Sequence, residues 1–503
     1  MKAVTAIAAR LDDVINPISV KELRQAVQSK FITVMLMLFL LGQVAVVWGS
    51  VFFQDGAGYD FDSGRQLFFI LMGVLLFTCT VFVPLYAGVR LSSERSDTNV
   101  DLFFITTIRP AAIVRGKFFA AMVIAVLIYG ACMPFLTFTY LLRGLDLPSI
   151  FLTLALGLAS TAVAVMLSIL IASLALSRIF RVLFGLGLLG ALIAIFSSTM
   201  SGSVGIVFFG AGSMAGSAEF WGVLGTVTAC YLVATGLLYV LAVAALSPPS
   251  ANRALPLRIY IPIVWLATGI IAWLWADAHG SNEPVLVTWL TPITFMLCVA
   301  MFIAVSERNT FSRRMLKRIP RTRLLQPAAF LFFSGSAGGV LWWLVLATAT
   351  FLVAWAWVDP PRPWTMTYGR GEEHELRALV FALYTFCYCM TALFIVRMWL
   401  KRVASRYTWL IALIAMAVGS LVPVLVAFML DPKHRAYSSE QTAWTYGNPF
   451  IALDCAPDYL DACLLLTGMW AVVVGLLNLP WILQQYKEFR PLDPNETALS
   501  ESG

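Results

Sequence analysis

The sequence predicts an all-α integral membrane protein with about twelve transmembrane helices in two six-helix halves. An interfacial amphipathic helix precedes the first span, and a short cytoplasmic helix joins spans two and three. Three observations lead there. Charged residues make up only 12% of the 503 residues and hydrophobic ones 60%, with a mean hydropathy of +0.85, whereas soluble domains carry about 25% charge. Uncharged apolar runs of about 18 residues or more recur along the whole length, enough for a helix to cross about 30 Å of hydrocarbon. They do not alternate, which excludes the strands of a closed barrel. Basic residues punctuate these runs instead of forming one soluble block, so the formal charge of +7 reflects membrane topology and not a nucleic-acid partner.

The first element is a helix opened by Asn16-Pro17, a capping residue followed by proline at the first helical position. Val20, Leu23, Val27 and Phe31 then recur at helical spacing, with Lys21, Glu22, Arg24, Gln25 and Gln28 on the other side, the pattern of a helix lying in the membrane surface. The first apolar run begins only at Phe31 and is long enough to span, so no cleavable signal peptide is expected.

Twelve spans follow, at about 31–53, 67–89, 117–142, 150–176, 182–202, 220–246, 259–276, 286–305, 338–358, 377–396, 408–430 and 460–483. With the N-terminus inside, 27 of the 34 lysine and arginine residues fall on inner segments, which places both termini in the cytoplasm. Asp55, Asp60, Asp62, Asp359, Glu372, Glu373, Glu375, Asp431, Asp454, Asp458 and Asp461 all fall outside. Tryptophans near span ends, among them Trp48, Trp273, Trp342 and Trp481, fit interfacial belts.

The halves divide at Ser247-Pro248-Pro249-Ser250. Residues 1–30 form the N-terminal segment, 31–246 the first half, 247–258 a linker, 259–483 the second half and 484–503 a tail. Ser93-Glu94-Arg95 after the second span is matched by Ser306-Glu307-Arg308 after the second span of the second half, and each leads through a basic stretch to a proline, Pro110 or Pro320. The pattern is that of a parallel duplication, with Glu307 and Arg308 as second-half equivalents of Glu94 and Arg95.

No Asp, Glu, Lys or Arg lies deep within any span, whereas ion-coupled carriers usually keep an ionisable group near the midplane. No G-x-x-x-x-G-K-[ST] loop occurs, and Gly116-Lys117 alone is no phosphate cradle. The three histidines, His279, His374 and His434, fall on the outer side, and neither a metal motif nor a nucleophile-base constellation appears. Six of the eight cysteines lie within apolar runs as small core residues; Cys455 and Cys463, near one face, could pair if that face is oxidising.

Residues 91–117 read LSSERSDTNVDLFFITTIRPAAIVRGK, a basic turn that still carries the apolar cluster Leu102-Phe103-Phe104-Ile105. A plain return loop has no use for that cluster. An amphipathic helix closed by Arg109-Pro110 and presented to a soluble partner does. Here the chain resembles the permease subunits of type 2 ABC exporters, whose first cytoplasmic loop runs E-R-E-x-G-T, then L-E-L-L-L-T-T-P-L-S-P, then I-V-x-G-K. Glu94-Arg95 match its start and Thr98 its threonine. Val100 to Phe104 match the apolar turn, Thr106 to Pro110 most of the next block, and Ile113-Val114-Arg115-Gly116-Lys117 its end. Asn16-Pro17 with Lys21-Glu22-Leu23-Arg24 resembles the N-P-x-x-x-K-E-L-R that precedes the first span in that family. Asp97 stands where the family has glycine, and Thr107 where it often has proline.

The resemblance covers residues 16–117, and its six-span layout extends to about 246. It implies a coupling helix between spans two and three that docks on a separate cytoplasmic ATP-binding subunit. Its residues are Glu94, Arg95, Asp101, Leu102, Phe103, Ile105, Pro110, Gly116 and Lys117, and Pro17, Val20, Leu23 and Val27 mark the interfacial helix. ATP and magnesium would be held by that subunit, with no cofactor, metal or catalytic residue on this chain. The setting implied is the cytoplasmic membrane of a bacterium, with membrane lipids and a second permease chain as further candidate partners. An ion-coupled secondary carrier and a non-transporting scaffold that recruits a cytoplasmic partner are the alternatives.

Overall fold

The computed structural model describes residues 17–52, 61–94, 109–142, 145–174, 178–248, 251–279, 282–322, 325–357, 374–401, 405–430, 446–453, 455 and 457–491. These residues are helical with short connections, and no strand occurs among them. Among the described residues twelve helices are long and apolar enough to cross a membrane, as the spacing of apolar runs predicts.

The chain forms two compact units, Met1–Pro248 and Pro249–Gly503. The first contains α1 (Pro17–Val27), α2 (Lys30–Phe52), α3 (Phe61–Phe77), a π-helical turn (Thr78–Phe82), α4 (Val83–Glu94), α5 (Pro110–Leu141), α6 (Leu147–Ser173), α7 (Arg178–Phe209), α8 (Ala211–Met214) and α9 (Ala218–Leu246). The second contains α10 (Leu255–His279), α11 (Asn282–Val305), α12 (Arg313–Leu316), α13 (Leu325–Phe332), α14 (Ser336–Trp357), α15 (His374–Met398), α16 (Thr408–Leu430) and α17 (Pro457–Glu488).

Two boundaries differ from the apolar runs. Helix α3–α4 continues past its apolar stretch to Glu94, and α5 begins two turns early, at Pro110. Arg109 is extended (φ −70°, ψ 134°) and Pro110 takes the first helical position, where its missing N–H costs nothing. Arg90, Glu94 and Lys117 are therefore helical residues with set directions.

In the first unit, the second spanning helix (α3–α4) packs on the first, third, fourth and fifth. The fourth (α6) packs on the third, fifth and sixth, and the third on the sixth. In the second unit every one of these pairings recurs, with α11 as second helix and α15 as fourth. The core of the first unit centres on Phe68, Leu71, Met72, Leu75, Leu76 and Ile128, all fully buried. Close approach explains one glycine there: a Cβ on Gly88 would sit 2.2 Å from Ser168 Oγ, whose hydroxyl donates to Pro84 O at 2.6 Å.

Candidate functional site

Helix α1 packs along α5. Its buried stripe is Ser19, Glu22 and Ala26, spaced as one helical face, while Val20 and Val27 are exposed and Leu23 is half-buried. Glu22 meets the first two turns of α5 and the last turns of α4. Lys117 Nζ lies 2.7 Å from Glu22 Oε1 and 2.8 Å from Glu94 Oε2. Arg90 Nε lies 3.2 Å from Glu22 Oε2 and 3.8 Å from Glu94 Oε1, and the same guanidinium donates to Tyr86 Oη at 2.7 Å and to Gln25 Oε1.

Two carboxylates and two cations thus close a neutral cluster in which Glu22 and Lys117 are buried. Each member needs the others. Glu94 sits at a helix C-terminus, an unfavourable end for a carboxylate, and Lys117 is a buried cation two turns into α5. The opposite charges beside them reverse that balance at hydrogen-bonding distance.

The cluster bears directly on the predicted coupling segment. Glu94 and Lys117, one on each side of it, are tied to each other, Pro110 opens α5, and Gly116 is buried one residue before Lys117. Arg95, Asp101, Leu102, Phe103 and Ile105 lie outside the described residues. Of the interfacial-helix residues, Pro17 is the first helical residue and Val20, Leu23 and Val27 are placed as above. Sequence reasoning missed Glu22 and Arg90 as site residues. Glu22 sits in a run of polar residues, and nothing local separates the one that packs inward from those that face water.

In the second unit Glu307 is also engaged, by a different partner. Arg258 Nη2 lies 2.7 Å from Glu307 Oε2, and the N–H of Gly335 donates to the same oxygen at 2.6 Å. Arg258 further donates to the carbonyls of Leu331, Phe333 and Gly335 at 2.8, 2.6 and 3.0 Å, capping the end of α13 with a cation. Burial pushes the Glu307 carboxyl above its ordinary value, and the Arg258 charge and the Gly335 bond only partly oppose this. Arg308 is exposed. The carboxylate after the second spanning helix is therefore paired in both units, by a cation from the third spanning helix in one and from the first in the other.

A second feature lies between α16 and α17. Tyr388 donates to Gly447 O at 2.6 Å, Tyr384 donates to Tyr446 O, and Arg377 donates to Leu453 O at 2.7 Å and Cys455 O at 3.2 Å. At about 1.5 Å per residue Tyr388 lies about 21 Å along α15 from His374. Gly447 also abuts Gly419, about 16 Å along α16 from Thr408. Gly447 thus lies beside the middles of two spanning helices, and Leu453 beside the first turn of α15. Carbonyls at that depth need protein or water partners, and the two tyrosine hydroxyls supply them to Tyr446 and Gly447. Cys455 and Cys463 are both buried here.

The first unit places the corresponding connection, α8, on the first turn of α6. Ala211 N–H donates to Ser149 Oγ at 2.6 Å, Gly212 N–H to Asp146 Oδ2 at 2.8 Å, and the Ser149 hydroxyl to Asp146 Oδ1. Gly210, at φ 79°, makes the turn into α8. Partial burial would raise the Asp146 carboxyl, but its bonds from Ser149 and Gly212 outweigh this and hold it below its ordinary value. Among the described residues no group of three or more His, Cys, Asp or Glu is gathered as a metal site. No protein-family model, curated protein or solved structure matches this chain.

Proposed function

We propose that this chain is the membrane-spanning permease component of an ABC-type exporter, driven by a separate cytoplasmic subunit that binds ATP and magnesium. The observation that carries the reading is the Glu22–Lys117–Glu94 cluster. It ties the two helices flanking residues 95–108 to each other and to α1, so a force applied to that segment reaches two spans and the N-terminal helix together. The motif resemblance at residues 16–117 supports it independently, and the apolar ridge Leu102, Phe103 and Ile105 suits a groove on a soluble partner.

The recurrence of the same helix pairings in both units supports a duplicated six-helix permease. The stretch at Tyr446–Leu453 then narrows the outer side of the second half. Both termini lie in the cytoplasm of a bacterial cell, on the side with most lysine and arginine.

The test is co-purification of the full chain with the ATP-binding subunit encoded beside it, followed by substrate-stimulated hydrolysis. Leu102→Glu and Phe103→Glu should abolish the association and leave membrane insertion intact, because a lone charge would be buried in the groove. Unchanged association of both variants overturns the docking role.

A further inference from the structure

We propose that the groove between α2 and α3 binds one acyl chain of an anionic phospholipid, whose headgroup sits at the α1 end. This rests on the first unit's geometry and is independent of the transport reading. The groove has a volume of about 530 Å³ and mainly apolar walls, with Thr78 as the polar side chain among its lining residues. Phe31, Val34 and Leu38 line it from one face of α2, and Ile70, Gly73 and Phe77 from one face of α3.

Its end wall is made by the π-helical turn. Pro84 has no N–H to donate, and the N–H of Val83 reaches five residues back to Thr78 O. In an α-helix Phe77 and Phe82, five residues apart, would point about 140° away from each other. The widened turn instead brings their rings edge to face at 5.5 Å, and both line the groove. π-turns of this kind recur at functional sites. The hydroxyls of Thr78 and Thr80 donate to Val74 O and Leu76 O at 2.8 and 2.7 Å, so the distorted ladder leaves the wall apolar.

The occupant follows from shape and charge. α2 and α3 touch along the groove, and its mainly apolar lining suits a single hydrocarbon chain. At the α1 end Phe31 stacks on Tyr86 at 5.6 Å, with Arg90 over the Tyr86 ring. Lys30 adjoins Phe31, and Lys21 and Arg24 are exposed on α1, two residues of turn away. Glu22 is the only carboxylate among residues 17–52, and Lys117 and Arg90 hold it. Glu94 is held by the same two cations, so that end still offers Lys21, Arg24 and Lys30, which selects an anionic headgroup over a zwitterionic one.

The full-length chain, purified in mild detergent and stripped of lipid, is given equal phosphatidylglycerol and phosphatidylcholine and read by native mass spectrometry. One retained phosphatidylglycerol is expected, favoured about fivefold or more, the preference one surface cation confers. Lys21→Gln/Arg24→Gln/Lys30→Gln should remove the preference and keep a bound lipid. Val34→Trp, at an exposed lining position where the fold does not depend on it, should reduce retention of both lipids. Equal retention of the two lipids by the unaltered chain overturns the proposal. So does undiminished retention in Val34→Trp, or a lipid-free dimer that Val34→Trp dissociates, which would assign the groove to a second copy.

Discussion

Lys117 and Glu22 stand 95 residues apart in the chain and meet at 2.7 Å, both buried. The contact joins the N-terminal helix to the base of the third span, and it exists only because α1 turns its Glu22 stripe onto α5.

Lys117→Met should cost about 1–3 kcal/mol, the usual effect of removing one partner of a buried charge-assisted bond, because Arg90 still holds Glu22 and Glu94. Adding Glu22→Gln should recover part of that, because the carboxylate that lost its bond to Lys117 is gone. Thermal unfolding of the detergent-solubilised chain reads both, and the single and double variants make a coupling cycle. Single-variant losses that simply add in the double variant would show that the pair is not coupled.

Tyr388→Phe should cost about 1–3 kcal/mol by leaving Gly447 O unsatisfied at mid-membrane depth. Gly419→Ala should be at least as damaging, since its Cβ would sit 2.0 Å from Tyr388 Oη. Adding Tyr388→Phe should relieve it in part by removing that oxygen. Melting temperatures of the three variants decide this.

Acid should loosen α8 through Asp146. Its carboxyl is held below the ordinary value, so its stabilisation is complete above the unfolded-chain value of about 3.9 and is lost as pH falls through the folded value. Hydrogen exchange at the Ala211 and Gly212 amides should rise on acidification beyond the normal pH trend. Asp146→Asn should show faster exchange of Gly212 at neutral pH and no such acid step.

Arg258→Met should remove the cation from Glu307 and three donors from the end of α13. The Glu307 carboxyl already lies above its ordinary value, so the folded protein holds its proton more tightly than the unfolded chain does. Without Arg258 the carboxyl should rise further, so the stability lost in Arg258→Met should grow as pH rises above the raised value that Glu307 has in the unaltered protein. Arg258→Met/Glu307→Gln should lose that pH dependence, as followed by melting temperature against pH.

Much of the molecule was legible before any coordinates. Span length is a local property, because each run must exceed the hydrocarbon thickness by itself, and twelve runs became twelve long helices. Pro110 marked a junction correctly, but as the start of α5; proline ends one segment and opens the next equally well. Glu94, Gly116 and Lys117 were named as site residues, whereas Glu22 was matched to the opening motif without a partner and Arg90 was given no role. The stretch at 446–453 is too short and mixed to declare its depth, which Tyr388 and Gly419 reveal.

By itself, the order of residues determined that the chain crosses a membrane repeatedly, where it crosses, and which side carries the positive charge. Transfer of a side chain from water to hydrocarbon depends mainly on that side chain and its near neighbours. Only tertiary structure decided that Glu22 faces Lys117, that Arg258 takes Glu307, that Gly447 lies at Tyr388, and that a π-turn opens a groove beside α2. Those depend on which helix faces lie together, a matter of packing between residues remote in the chain, for which local hydropathy carries no information.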